Sequence, residues 1–174
     1  VRMPNHPMAL ELLRQFKRPL AAPSANRYGR ISPTCAEHVM DEFVGEDLLV
    51  LDGGECDIGI ESTIVSLLDD PLLLRPGHIS LEMLTSVIPT LRVAQQTEGP
   101  RASGRHLSHY APLTPTYLVA KDAEWNKINP ADAVLAFKPK PSSHHGLWIQ
   151  ASLDPRLYAH HLYDWLHSLD AQQS

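Results

Sequence analysis

The residues best suited to chemistry lie in a loop, AAPSANRYGRISPT, spanning 21–34. Ser24, Asn26, Ser32 and Thr34 bring side-chain donors and acceptors, and Arg27 and Arg30 bring positive charge. Gly29 can enter a backbone region closed to other residues, while Pro23 and Pro33 stiffen the entry and exit. Such a loop, set between a strand end and a helix start, can cradle phosphate on free backbone N–H groups and the positive end of the helix dipole. The GxxxxGK pattern of a P-loop is absent, and a turn rich in capping residues is the competing reading.

A second candidate is GIESTIVS, 59–66, where Glu61, Ser62 and Thr63 open an otherwise apolar strand. Polar groups at a strand end line sites in layered α/β folds, although a solvent-exposed strand start reads the same way. Arg75, across the same hairpin, could hold a phosphate or a carboxylate bidentately or be a surface arginine. Arg2, ahead of MPNHP, is either a carboxylate anchor or an exposed strand residue. Residues 103–112, SGRHLSHYAP, cluster Arg105, His106, Ser108, His109 and Tyr110 in a loose linker, as a lid over a site or a clasp between domains. The pairs His144-His145 and His160-His161 do not build a metal set, because adjacent side chains diverge on a helix or strand.

These residues need elements to position them. The sequence predicts a helix over 5–16 with Asn5 as N-cap and Pro7 in its first turn, then a buried strand in PLAAPS, 19–24. A capping box from Thr34 to Glu37 opens a helix carrying His38, Val39, Met40 and Phe43. DLLVLDGG, 47–54, reads as a buried strand, and 62–77 as a β-hairpin turning at Asp69-Asp70-Pro71. Ser80 caps a short helix holding Leu81, Leu84 and Val87. After an exposed linker from Ala94, strands are expected at 114–120 and 132–137 and an amphipathic helix at 154–170, striped by Leu162, Leu166 and Leu169. Two strands and a helix bury their own faces poorly, so this second unit packs on the first or is incomplete. Alternating short strands and helices predict an α/β or α+β sheet.

The totals narrow the partners. With 43% hydrophobic and 20% charged residues the chain is globular, and a net charge of −5 provides no general surface for a polyanion. Cys35 and Cys56 show no CxxC spacing, which predicts a reducing, cytoplasmic setting. No apolar run approaches the roughly 20 residues of a membrane span. A chain starting at Val1 with VRMP is expected to have been cut from a longer one.

Five stretches, RMPNHP, PLAAPSANRYGRISPT, DGGECDIGIESTIVS, LLRPGHIS and SGRHLSHYAPLTP, resemble in order and spacing the threonylcarbamoyl-AMP synthases with their YrdC-like catalytic domain. The HYAP linker resembles the longer branch with a small Rossmann-like C-terminal domain. The resemblance implies an α+β twisted sheet of YrdC-like type over 1–93, a linker or lid over 94–113, and part of a small Rossmann-like α/β domain over 114–174. It implies a reaction in which L-threonine, bicarbonate and ATP, with Mg²⁺, give threonylcarbamoyl-adenylate and pyrophosphate, the first step of the t6A modification of tRNA. By matching position, Arg2, Ala22 and Ser62 would contact threonine, and Ser24, Ser32 and Arg75 would hold ATP. Asn26 would support the phosphate and magnesium region, and His109 and Tyr110 would close over the nucleotide.

The implied partners beyond substrates are the downstream tRNA threonylcarbamoyl-transfer machinery and a weak RNA contact, with no membrane. The family's upstream strands and Lys-x-Arg segment are not in this sequence, so the piece is not expected to act alone. The rival readings are a non-catalytic YrdC-like module binding nucleotide or RNA, and a carbamoyl-transfer domain of the hydrogenase-maturation type.

Overall fold

The computed structural model describes residues 4–95, 98–100, 102, 110–120 and 122–173. The architecture is mixed α/β with two small sheets, as the alternation of elements predicts. In chain order the elements are α1 (Pro7–Phe16), α2 (Ala36–Glu42), β1 (Ile64–Ser66), β2 (Leu72–Arg75), α3 (Leu81–Thr85), β3 (Arg92–Val93), β4 (Val134–Ala136), β5 (Trp148–Gln150) and α4 (Pro155–Asp170). Short 3₁₀ turns cover Asp122–Lys127 and Ala171–Gln173.

The expected hairpin forms: β1 pairs antiparallel with β2, Ser66 opposite Leu72, with a register shift between Ile64 and Val65. The shift leaves Leu74 of β2 with no residue opposite it on β1, the two-against-one count of a β-bulge. β3 then adds to β2 in parallel. Leu72, Leu73 and Leu74 are buried on this sheet, and Leu91 and, in the 21–34 loop, Ile31 are buried as well. The second sheet pairs the predicted β4 in parallel with β5, a strand not among those expected. Ser80 caps α3 as predicted, its Oγ accepting from the Met83 amide at 3.3 Å.

Several expectations are corrected. The N-cap of α1 is His6, not Asn5, and no side chain caps it; the His6 ring instead meets the Gly53 carbonyl at 3.1 Å. Pro7 opens the helix as expected, since an N-terminal proline sacrifices no intrahelical bond. The Thr34–Glu37 capping box does not form. Cys35 is the N-cap, while the Thr34 amide donates to His38 Nδ1 at 3.2 Å and its hydroxyl contacts the same nitrogen. α3 stops at Thr85 and Val87 is exposed beyond it; at this end the Thr85 and Ser86 hydroxyls donate to the Glu82 and Met83 carbonyls, the local bonding that Ser and Thr favour at helix ends.

Three predicted strands are irregular: 19–24, 47–54 and 114–120. The first two have no pairing partner among the described residues and lie largely exposed, with Leu49 87% accessible. At the third, the Leu113 and Thr114 amides are taken by the Asp170 carboxylate at 2.9 and 2.8 Å rather than by a neighbouring strand.

α4 matches its predicted span, with Asp154 accepting from the Arg156 and Leu157 amides as N-cap. It does not stay with the second sheet alone. His160 Nδ1 meets the Asp57 carbonyl at 3.0 Å, and His167 Nε2 meets the Ser32 carbonyl at 3.2 Å. Gly59 runs so close beneath it that a Cβ would lie 1.9 Å from the His160 carbonyl oxygen, and its φ is +78°. The second unit therefore packs on the first, one of the two outcomes its small size allowed.

Candidate functional site

Arg75 ends β2 and is 7% exposed, which obliges its guanidinium to find partners. Its Nε donates to the Ser62 carbonyl at 3.0 Å and its Nη2 to Ser62 Oγ at 3.1 Å. Nη1 donates to the Tyr110 hydroxyl at 3.2 Å, and Nη2 lies 3.6 Å from Glu61 Oε2. The other Glu61 oxygen accepts from Ser32 Oγ. Strand start, hairpin, loop and linker thus converge on one guanidinium.

The backbone permits this convergence. Gly77 passes so near 61–63 that a Cβ would sit 2.4 Å from the Glu61 carbonyl oxygen. Thr63 Oγ1 fastens the crossing by donating to the Ile79 carbonyl and accepting from the Ile79 amide, at 2.8 and 3.1 Å. In the loop, Gly29 takes the predicted left-handed conformation at φ +83° and accepts at its carbonyl from the Ala111 amide at 2.9 Å. That bond brings the end of the linker against the loop, where Arg30 and Ala111 form an isolated parallel bridge.

Tyr110 is held in the left-handed region at φ +60°, uncommon for a residue with a Cβ. Its ring stacks on Tyr163 of α4 with centroids 5.7 Å apart. Burial pushes the Tyr110 phenol up, and the Glu61 carboxylate adds to this, against the opposing pull of Arg75. Tyr163 is raised as well, again by burial first and then by Glu61. Both phenols therefore stay protonated at neutral pH and act as neutral hydroxyls.

Around the cluster α4 adds further anchors. Asp170 accepts the Leu113 and Thr114 amides and lies 3.9 Å from Arg30. Burial would raise its carboxyl, but the two amides and Arg30 outweigh it and hold it below the usual carboxylate range. His167 stacks on His38 with centroids 3.8 Å apart, and His38 Nε2 lies 3.7 Å from Asp164. Burial, then the neighbouring His38, pushes His167 down, although the Ser32 carbonyl and Asp164 and Asp170 oppose this. A cleft of about 110 Å³ lies where α4 faces Thr34, Cys35 and Cys56. Burial, then Cys35 and nearby carboxylates, raises the Cys56 thiol.

Of the residues singled out in the sequence, Ser32, Glu61, Ser62, Arg75 and Tyr110 come together. Asn26 stays in its own loop, donating through Nδ2 to the Arg27 and Arg30 carbonyls at 3.0 and 3.2 Å. Its Oδ1 is buried without a hydrogen-bond partner among the described residues. Ala22 and Ser24 lie exposed, and no hydrogen bond among the described residues joins them to the cluster. Arg2 and His109 fall outside the described residues, as do Arg105, His106 and Ser108. Arg27 and Arg30 are engaged internally, Arg27 with Glu46 and Arg30 with Glu42 and Asp170.

Sequence reasoning missed Tyr163, His167 and Asp170 as parts of this assembly. Asp170 carried a signal: an acid in the last turn of a helix opposes the helix dipole unless something else holds it.

The cluster gathers a planar guanidinium, two serine hydroxyls and a neutral phenol, donor types suited to an oxyanion, around the Glu61 carboxylate, which is the anion they hold here. Residues 1–77 match the Sua5–YciO–YrdC family model, described as telomere recombination. Residues 79–174, more than half of the chain, match the model of the threonylcarbamoyl-AMP synthase C-terminal domain. The chain belongs to the threonylcarbamoyl-AMP synthase family. A threonylcarbamoyl-AMP synthase of Bacillus subtilis is 47% identical over 120 residues, 66% of this chain and 35% of the relative. That of Pyrococcus abyssi is 42% identical over 125 residues, 68% of this chain and 37% of the relative. The crystal structure of P. abyssi Sua5 complexed with L-threonine superposes with a TM-score of 0.74 at 31% identity, over 98% of this chain and 55% of that one. The chain thus spans about a third of the length of these curated synthases and about half of the solved structure.

Proposed function

We propose that the chain is part of an L-threonylcarbamoyladenylate synthase. In this reaction the threonine amine takes up bicarbonate with loss of water, and the resulting carbamate attacks the α-phosphate of ATP and expels pyrophosphate. The product serves the t6A modification of tRNA through downstream transfer machinery, in the cytoplasm. The observation that carries the reading is the Arg75 cluster, a buried guanidinium joined to Ser62, Glu61 and Tyr110 within a chain of this family.

In this reading Arg75 and Ser32 hold ATP, with Ser24 and Asn26 along the same loop, and His109 and Tyr110 close over the nucleotide from the linker. Arg2, Ala22 and Ser62 take threonine, and the L-threonine bound to the P. abyssi relative supports that substrate. The chain divides into a catalytic part over 1–93, a linker over 94–113 and a partial C-terminal domain over 114–174. The match of that C-terminal part favours a synthase over a carbamoyl-transfer domain of the hydrogenase-maturation type.

Magnesium fits this site as a companion of the triphosphate. Among the described residues no three His, Cys, Asp or Glu side chains gather to hold a metal ion, whereas the buried Asn26 Oδ1 is a hard acceptor lacking a donor. Bound there, Mg²⁺ would neutralise phosphate charge. The chain's own residues supply position and charge: Arg75 orients phosphate oxygens, Ser32 and Tyr110 donate hydroxyl protons to them, and the linker end shields labile carbamate from water.

The test is calorimetric titration of ATP with Mg²⁺ into this chain and into a version extended at its N-terminus by the corresponding residues of the B. subtilis relative. Pyrophosphate release is then followed with and without L-threonine and bicarbonate. Release that requires both substrates supports the reading. Absence of nucleotide binding in both proteins sinks it.

A further inference from the structure

The guanidinium reaches the C-terminal helix through two stacked rings. Arg75 Nη1 donates to the Tyr110 hydroxyl, and the Tyr110 ring lies on Tyr163 at an interplanar angle of 30°. Tyr163 is the buried residue of α4, at 8% exposure, so its ring faces the first unit rather than solvent. Tyr110 cannot hold its pose by backbone preference, since φ +60° is unfavourable for a residue with a Cβ. Contacts must hold it there. The Tyr163 ring face supports the side chain, and the bonds from Ala111 to Gly29 and from Leu113 and Thr114 to Asp170 hold the following backbone.

We propose that Tyr163 is a positioning residue, acting through Tyr110 to set the Arg75 guanidinium, so that the C-terminal helix tunes nucleotide affinity. The proposal rests on the reading of Arg75 and Tyr110 as ATP-binding residues. Loss of the Tyr163 ring frees Tyr110 to relax its backbone and withdraw its hydroxyl, and the guanidinium loses the bond from Nη1 to that hydroxyl. Phenylalanine at 163 keeps the ring face and therefore the function.

Tyr158 is the internal control. It lies on the same helix and stacks on Phe137 at 5.4 Å, away from the Arg75 cluster. Removing it costs comparable aromatic packing but leaves Tyr110 supported.

The experiment measures ATP·Mg²⁺ affinity and the Arg75 Nε–Hε resonance by ¹H–¹⁵N NMR in the wild type, Tyr163→Ala, Tyr163→Phe and Tyr158→Ala. Tyr163→Ala should weaken ATP binding about tenfold, the scale of one lost aromatic pair, and shift the Arg75 resonance. Tyr163→Phe and Tyr158→Ala should stay within about twofold and leave the resonance in place. An unmoved resonance in Tyr163→Ala, or an equal response in Tyr158→Ala, overturns the proposal. Should Tyr163→Ala fail to fold, Tyr163→Leu, which fills the site without a ring face, carries the same test. Should no protein bind ATP, the functional reading fails on its own and the Arg75 resonance alone decides the positioning role.

Discussion

Two regions of the molecule invert the usual relation between composition and burial. The segment 47–51, DLLVL, is almost wholly apolar yet exposed, and 19–25 is similarly uncovered. The cluster of Ser32, Glu61, Arg75 and Tyr110 is polar and charged, yet Ser32 and Arg75 are each 7% exposed. The difference lies in partners. A strand needs a neighbour for its backbone and a cover for its faces, and neither run has them among the described residues. The polar cluster has a partner for each group that burial would otherwise strand.

This contrast predicts that damage scales with lost partners and not with lost apolar surface. Arg75→Ala should have the largest effect, about 3 kcal/mol in urea denaturation, because Glu61 and the Ser62 and Tyr110 oxygens lose their cation together. Gly59→Ala should follow at about 2 kcal/mol, since a Cβ there collides with the His160 backbone and φ +78° resists a side chain. Its signature would be loss of the His160–Asp57 and His167–Ser32 contacts, seen as histidine ring shifts by NMR.

Acidification tests the same seam more gently. His167 binds its proton less readily when folded than its ordinary value of 6.5, so the unfolded chain takes up more protons. Stability should be full above about pH 6.5 and decline as pH falls below it, and His167→Gln should flatten that part of a thermal-melting profile. Asp170 titrates lower: its stabilisation should persist until the pH drops under its ordinary value of 3.8. The smallest effect is expected from Leu49→Ser, under about 0.5 kcal/mol, because that side chain is already in water. A large loss there would show that 47–51 is covered in solution.

The same contrast explains what the sequence made legible. The hairpin at 62–77, the Ser80 cap, the strand within 132–137 and helix 154–170 rest on local signals of turn chemistry, capping and periodicity, and they formed. The runs at 19–24 and 47–54 had strand composition but needed distant partners to become strands. The Thr34 capping box failed to a competitor four residues on, the His38 ring, which no spacing rule ranks above Glu37. In the site, Ser32, Ser62, Arg75 and Tyr110 were readable as motif residues. The roles of Tyr163 and Asp170 depend on which face of α4 meets the first unit, a question of tertiary packing.

The carboxylate of Asp170 also gives the linker a kinetic property. The Leu113 side chain is 72% exposed, yet its amide and that of Thr114 are both held by one helix-end carboxylate. Those two amides should exchange with deuterium slowly and in step, released only when the end of α4 lifts. Their exchange would serve as a clock for separation of the C-terminal helix, read at a surface where rapid exchange is the rule.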